Sequence, residues 1–276
     1  MSKKKKKIKL NFTRGDFLTI FGAAAGSVVA AQVVTTGPLS PFNSMLQGQL
    51  EGEYEHEHDH HGSFHWGMVI DLDRCIGCEY CVRACSATND VASERTWNIV
   101  VPEETSGGHP FFFSRPCQQC QDAPCVEVCP VGATYVRDDG IVMMNYERCI
   151  GCRYCEVACP YDARKFNWEE RTDTNEFIPT WGIAEVDRRP RGVIEKCTFC
   201  VHRIDAGIET GLEPGLDPEA TPACVNICPV GARTFGNLAD PESNVSRLIE
   251  SNATIRLREE LGTEPSVYYI PPKEGL

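Results

Sequence analysis

One cysteine run occurs twice in this chain and limits what the surrounding backbone can do. "RCIGCEYCVRAC" (74–85) and "RCIGCRYCEVAC" (148–159) both have the spacing C-x2-C-x2-C-x3-C after the same opening. Four sulfurs held so close in sequence need a common partner. The sixteen cysteines of the 276-residue chain fall into four quartets with none left over. Group one is Cys75, Cys78, Cys81 and Cys85. Group two is Cys117, Cys120, Cys125 and Cys129. Group three is Cys149, Cys152, Cys155 and Cys159, and group four is Cys197, Cys200, Cys224 and Cys228.

Three chemistries use many cysteines, and spacing separates them. Disulfides between cysteines two residues apart are strained. Zinc generally takes one quartet per small module. The run in groups one and three is that of bacterial ferredoxins, in which three thiolates wrap one [4Fe–4S] cube and the fourth reaches a second. Proline, which fixes φ and lacks an N–H, follows the last cysteine of groups two, three and four as Pro130, Pro160 and Pro229; Ser86 takes its place in group one. Groups two and four are expanded runs, with "QDAP" and the 23 residues Val201–Ala223 between their second and third cysteines. Their endings, "PCVEVCPVGA" and "ACVNICPVGA", nearly match. A simple run followed by an expanded run therefore appears twice. Sixteen thiolates are the ligand count for four [4Fe–4S] clusters, and they leave no open iron position for substrate.

The remaining sequence predicts an α+β fold of duplicated bacterial-ferredoxin-like two-cluster modules, with long loops, inserted segments and few regular elements. With 23 Gly and 18 Pro, turns are frequent. "GMVIDLD" (67–73) and "GIVMMNY" (140–146) read as strands entering the cysteine loops. "ESNVSRLIESN" (242–252) reads as a helix capped by Asp240, with Pro241 at its first position and Val245, Leu248 and Ile249 on its buried face. "SVYYI" (266–270) reads as a strand that ties down the C-terminus. Residues 171–192 read as an inserted loop suited to partner contact. Arg83, Arg164, Lys165, Lys196 and Arg203 lie close to the thiolates in sequence, where cations stabilise a reduced, anionic cluster and raise its potential. A formal net charge of −12 argues against nucleic acid as a partner.

Residues from about Trp66 to Ile270 resemble the four-cluster iron–sulfur subunits of membrane-associated molybdopterin oxidoreductases. That family includes the polysulfide, thiosulfate, tetrathionate and dimethyl sulfoxide reductases and respiratory formate dehydrogenase. The match lies in "WGMVIDLDRCIGCEYC", "PCQQCQDAPCVEVCPVGAT", "GIVMMNYERCIGCRYCEVACPYDARKFNW" and "GVIEKCTFCVHRIDAG" with "PACVNICPVGARTFG". The chain is also similar to the iron–sulfur part of alternative complex III. The resemblance implies that Cys75, Cys78, Cys81 and Cys228 hold a first cluster and Cys85, Cys197, Cys200 and Cys224 a second. It implies Cys117, Cys120, Cys125 and Cys159 for a third, and Cys129, Cys149, Cys152 and Cys155 for a fourth. Repeat order alone would instead pair group one with group two. The implied partners are a catalytic molybdopterin-type subunit and a polytopic quinone-binding membrane subunit. The chain itself is then a non-catalytic electron relay, consistent with the lack of a nucleotide loop, catalytic triad or spare thiol. A relay in a quinol-oxidising complex without molybdenum and an autonomous polyferredoxin shuttle are the alternatives.

Four segments follow. Residues 1–36 read as a targeting or anchor segment: five lysines at 3–7 precede an apolar stretch, Phe17 to Thr36. "TRGDFL" is similar to a twin-arginine export signal, with Gly15 where the second arginine belongs. The lysines then stay inside and the clusters lie on the outer face of the membrane; a docking helix on the cytoplasmic face is the alternative. Residues 37–65 read as a solvated His/acidic linker, although alternate histidines such as His56, His58 and His60 are also a metal-chelating pattern. Residues 66–240 form the four-cluster ferredoxin-like domain, and 241–276 a C-terminal helix and docking tail.

Overall fold

The computed structural model describes residues 64–273. The basic and apolar N-terminal segment and nearly all of the His/acidic linker lie outside these residues. Within them no helix is long and apolar enough to cross a membrane.

The described residues begin with β1 (Trp66–Asp71) and the helix α1 (Tyr80–Asn89), followed by the hairpin β2 (Ile99–Glu104) and β3 (Pro110–Arg115). A short helix α2 (Pro124–Glu127) precedes the hairpin β4 (Thr134–Val136) and β5 (Val142–Met144). Next come α3 (Tyr154–Ala158), the pair β6 (Lys165–Phe166) and β7 (Ile194–Glu195), and α4 (Val201–Glu209). The last elements are α5 (Ala223–Asn226), β8 (Arg233–Asn237), α6 (Asn244–Ser251), β9 (Ile255–Arg256) and β10 (Val267–Ile270).

β1 is the axis of the largest sheet, whose order is β8-β1-β10-β9. Trp66 through Ile70 are all buried without alternation, as in a strand covered on both faces. β1 pairs in parallel with β10, Met68 opposite Val267, and antiparallel with β8, Met68 opposite Phe235. The "SVYYI" strand therefore lies in the sheet interior, and its Tyr269 is fully buried against the Phe113 ring. The core joins Trp66, Met68, Ile70 and Phe235 of this sheet to Phe199 and to the buried cysteines themselves.

The C-terminal helix starts later than the sequence suggests. Its N-cap is Ser243, whose Oγ accepts from Ser246 N at 3.2 Å. Asp240 instead accepts from Glu242 N at 2.9 Å, closing an Asx turn ahead of the helix. Val245 is fully buried, while Leu248 and Ile249 are half-buried.

The loop 171–192 turns inward, as a strap across the C-terminal end of α1. Arg188 forms a two-pronged contact with Asp90, Nε to Oδ2 at 2.9 Å and Nη2 to Oδ1 at 3.1 Å. Asn175 Nδ2 donates to the carbonyls of Ser86 at 2.9 Å and Val91 at 3.0 Å. Arg189 lies over the Trp97 ring and donates to the Asn89 carbonyl. The sequence did show the loop's arginines, but not that their acceptors lie at the C-terminal end of α1, the Asp90 carboxylate for Arg188 and the Asn89 carbonyl for Arg189.

The repeated Ile-Gly-Cys has a steric cause. Gly77 and Gly151 have φ of 70° and 68°, in the left-handed region that only glycine enters at low cost. A Cβ on Gly77 would lie 2.4 Å from the Phe112 ring, and one on Gly151 2.2 Å from the Gly192 carbonyl oxygen. Two residues on, Glu79 and Arg153 also have positive φ, 60° and 66°, and start α1 and α3. Each loop thus curls left-handed before its helix, which turns successive cysteines inward. Replacing Gly151 with Ala combines a left-handed alanine, at about 1–2 kcal/mol, with a backbone clash. Its thermal midpoint, measured anaerobically, should fall by several degrees; an unchanged midpoint would remove the steric reason for the glycine.

Candidate metal centres

All sixteen cysteines are free thiols. Cys75 and Cys78 from the loop after β1 and Cys81 from the first turn of α1 line one recess together with Cys228, which follows α5. Cys149, Cys152 and Cys155 line a second recess with Cys129, which follows α2. Of the other eight, Cys85, Cys117, Cys120, Cys197, Cys200 and Cys224 are buried, and Cys125 and Cys159 are half-buried. Burial pushes the Cys85 thiol well up, and the neighbouring sulfurs of Cys197, Cys200 and Cys224 push it further. Cys120 is driven by burial to about 12, with Cys117, Cys125 and Cys159 adding to the rise. Groups one and four are thus interleaved, and so are groups two and three.

Among the described residues, no three His, Cys, Asp or Glu side chains converge tightly enough to share one metal ion. Around tetrahedral zinc, sulfurs at 2.3 Å from the metal lie only about 3.8 Å apart. Here the quartets are spread around recesses, and the donor set consists of thiols alone. Both features fit a cluster of several metal atoms.

N–H groups converge on these sulfurs. Ala133 N donates to Cys129 Sγ at 3.2 Å, and Ala232 N to Cys228 Sγ at 3.3 Å. This explains the repeated Cys-Pro-Val-Gly-Ala: Gly132 and Gly231, at φ 59° and 57°, turn the following N–H back to the sulfur. Burial opposes ionisation of Cys129, but the backbone N–H groups of Thr134, Val131, Ala133 and Gly132 outweigh it, so its thiol is lowered. Asn98 Nδ2 donates to Cys81 Sγ at 3.2 Å. Asn89 Nδ2 faces both Cys85 Sγ at 3.8 Å and Cys200 Sγ at 3.6 Å.

Of the five cations expected near the thiolates, only Arg164 touches one, with Nη2 3.0 Å from Cys125 Sγ. Lys196 is fully buried beside Cys197 and donates to its carbonyl at 2.6 Å. Arg203 binds Glu185 at 3.1 Å and the Thr221 carbonyl at 2.7 Å. Arg83 pairs with Glu79 and lies over Trp181, and Lys165 pairs with Asp162. Arg233, absent from that expectation, is buried with Nη1 3.8 Å from Cys224 Sγ. A signal for it was present: Arg164 and Arg233 both stand five residues after the fourth cysteine of their group. The two asparagines carry no comparable signal, because ordinary spacing does not show where an amide points.

The fold and the sulfur quartets define the class of a ferredoxin-type [4Fe–4S] electron carrier. Residues 109–175 and 148–232 each match a 4Fe-4S dicluster domain, and residues 66–87 a 4Fe-4S binding domain. The chain is 46% identical over 222 residues to a Halobacterium salinarum protein assigned as the iron–sulfur subunit of a dimethyl sulfoxide reductase, covering 75% of this chain and 79% of that one. It is 43% identical over 236 residues to the iron–sulfur cluster-binding subunit of menaquinone reductase from Nitratidesulfovibrio vulgaris, covering 76% and 89%. A polysulfide reductase component from Wolinella succinogenes is 35% identical over 216 residues, covering 76% and 96%. The chain belongs to the family of iron–sulfur electron-transfer subunits of molybdopterin-type reductase complexes. It is a non-catalytic subunit that binds multiple [4Fe–4S] clusters.

An N–H···S bond to a cluster thiolate contributes about 1 kcal/mol, or roughly 40 mV in a one-electron couple. Asn89→Leu keeps the side-chain volume and removes both donations. One cluster potential should fall by up to that amount in a redox titration followed by electron paramagnetic resonance. Four unchanged potentials would show that these contacts do not tune a cluster.

Proposed function

We propose that the chain carries four [4Fe–4S] clusters in a row and relays electrons between a quinone-linked membrane subunit and a molybdopterin-type catalytic subunit. The ligand sets are Cys75, Cys78, Cys81 and Cys228; Cys85, Cys197, Cys200 and Cys224; Cys117, Cys120, Cys125 and Cys159; and Cys129, Cys149, Cys152 and Cys155. When bound, each cluster supplies one-electron transfer at a potential set by its surroundings. The protein fixes the order of the clusters and excludes water from the inner two.

The observation that carries the linear order is the neighbourhood of Cys197. Its thiol is pushed to about 12 by burial first and then by the charge of Cys117. Cys197 belongs to the second set and Cys117 to the third. Gln119 crosses the same boundary, donating from Nε2 to the Cys197 carbonyl at 2.8 Å. The first and second sets share groups one and four, and the third and fourth share groups two and three. Contact between the second and third closes the row. In this reading residues 66–240 are the cluster domain, with 241–276 as its docking tail and 1–36 as its anchor or export segment. The subunit sits at the membrane with the clusters on the outer face.

A second reading keeps the relay but replaces the molybdenum partner with a quinol-oxidising complex lacking it. The similarity to an iron–sulfur subunit of an Hdr-like menaquinol oxidoreductase, 35% identical over 232 residues, favours this version. One preparation separates the two. Purified anaerobically with its partners, the complex should hold about 16 iron atoms per chain, four for each thiolate quartet. It should also contain molybdenum and a multi-span membrane protein. Iron at about half that content contradicts the four-cluster reading. Full iron without molybdenum selects the second complex, and release from membranes at high salt as a lone monomer contradicts both relay readings.

A further inference from the structure

Arg164 and Arg233 are buried, with relative exposures of 1% and 5%. Among the described residues, neither has a carboxylate partner. A buried guanidinium without an anion nearby is costly. The anions available to both are cysteine sulfurs, and in each case these belong to two quartets.

Arg233 lines the first recess beside Cys75, Cys78, Cys81 and Cys228. Its Nη2 donates to Asn98 Oδ1 at 2.9 Å, and Asn98 donates on to Cys81. Its Nη1 turns the other way, 3.8 Å from Cys224 Sγ of the second quartet. Arg164 repeats this arrangement in the other half. Its Nη1 donates to Thr134 Oγ1 at 3.0 Å and lies 3.1 Å from Met144 Sδ. Both of those residues line the recess of Cys129, Cys149, Cys152 and Cys155. Its Nη2 is 3.0 Å from Cys125 Sγ of the third quartet. Arg233 likewise has a methionine sulfur beside it, Met68 Sδ, at 3.4 Å. The duplication has thus placed one buried arginine between the two quartets of each half.

We propose that Arg233 and Arg164 are shared counter-cations, each holding a charge between two neighbouring clusters and raising the potentials of both members of its pair. The proposal rests on the four-cluster reading. One planar fork spanning two sites suits arginine, whereas lysine offers a single point charge. A cation set between two clusters favours the reduced, more anionic form of each. It also lessens the repulsion between an electron on one cluster and an electron on the next. The two arginines are positioning residues: they bind no substrate and act through the thiolates.

The test uses the full chain in its complex, with Arg233→Met, Arg164→Met and the matching Lys variants. All four cluster potentials are followed by paramagnetic resonance during titration with dithionite, which supplies one electron per cluster. Arg233→Met should lower two potentials, and Arg164→Met the other two. At fixed poise the reduced-to-oxidised ratio of each affected cluster should drop about tenfold, which is about 59 mV for a one-electron couple. The Lys variants should move the same pairs by less. Movement of one potential alone, of all four together, of the same two in both variants, or of none overturns the proposal. If a Met variant sheds iron, loss of about 8 of about 16 atoms, one pair of clusters, agrees with it, and loss of a single cluster or of all four does not. Wild-type iron content is measured alongside, so failure of the four-cluster reading is seen separately from failure of the bridge.

Discussion

The structure depends on keeping anionic sulfur in a protein interior. Cys85, Cys197, Cys200 and Cys224 are all buried, and burial alone pushes each thiol upward. In a low-dielectric site a thiolate persists only with positive charge or N–H groups against it. Iron supplies most of that charge in a cluster protein, and ligand binding is then coupled to folding. The chain supplies the rest, through the Cys-Pro-Val-Gly-Ala turns, Asn89, Asn98 and the two buried arginines. Its regular elements are short because they serve to bring these groups to sulfur. α2 and α5 are single turns that each end just before a cysteine.

The interleaving of groups also explains how distant parts of the chain stay together. Cys228 stands beside Cys75, and β8, which begins five residues after Cys228, pairs with β1, which ends four residues before Cys75. β10 then pairs with the other edge of β1. The sheet and the sulfur recess are thus two parts of one closure. The strap 171–192 adds a third by fastening the segment between groups three and four onto the helix that carries Cys85. Such ties limit relative motion of the halves, which an electron relay requires if its centres are to keep fixed separations.

Much of the site was legible in the sequence because metal ligation leaves a strict spacing. The sixteen thiols, their grouping and the [4Fe–4S] chemistry all follow from it. The strands entering the cysteine loops were legible too, since "GMVIDLD" opens on the apolar run Gly67–Ile70, although β5 proved shorter than "GIVMMNY" suggests. The helix cap was misplaced because Asp240 and Ser243 are both good caps, and only the fold decides which one faces the first turn. The basic residues show the limit most clearly. Arg83 and Arg203 lie as near the cysteines in sequence as Arg164, yet α1 and α4 carry them to Glu79 and Glu185. Arg233 lies on a strand and points back into the core. Side-chain direction, not sequence distance, decides which charge meets a thiolate.

The central claim is that each cluster is closed by a cysteine from a distant group. Its most direct test compares Cys75→Ser with Cys228→Ser in the intact complex, using Mössbauer and paramagnetic resonance spectra of the reduced protein. The two substitutions lie far apart in sequence but alter one ligand set. They should perturb the same cluster signal, and the double variant should perturb no other. If Cys228→Ser instead changes a signal that Cys75→Ser leaves intact, the crossed ligation is wrong, and the duplicated halves each hold their clusters in another order.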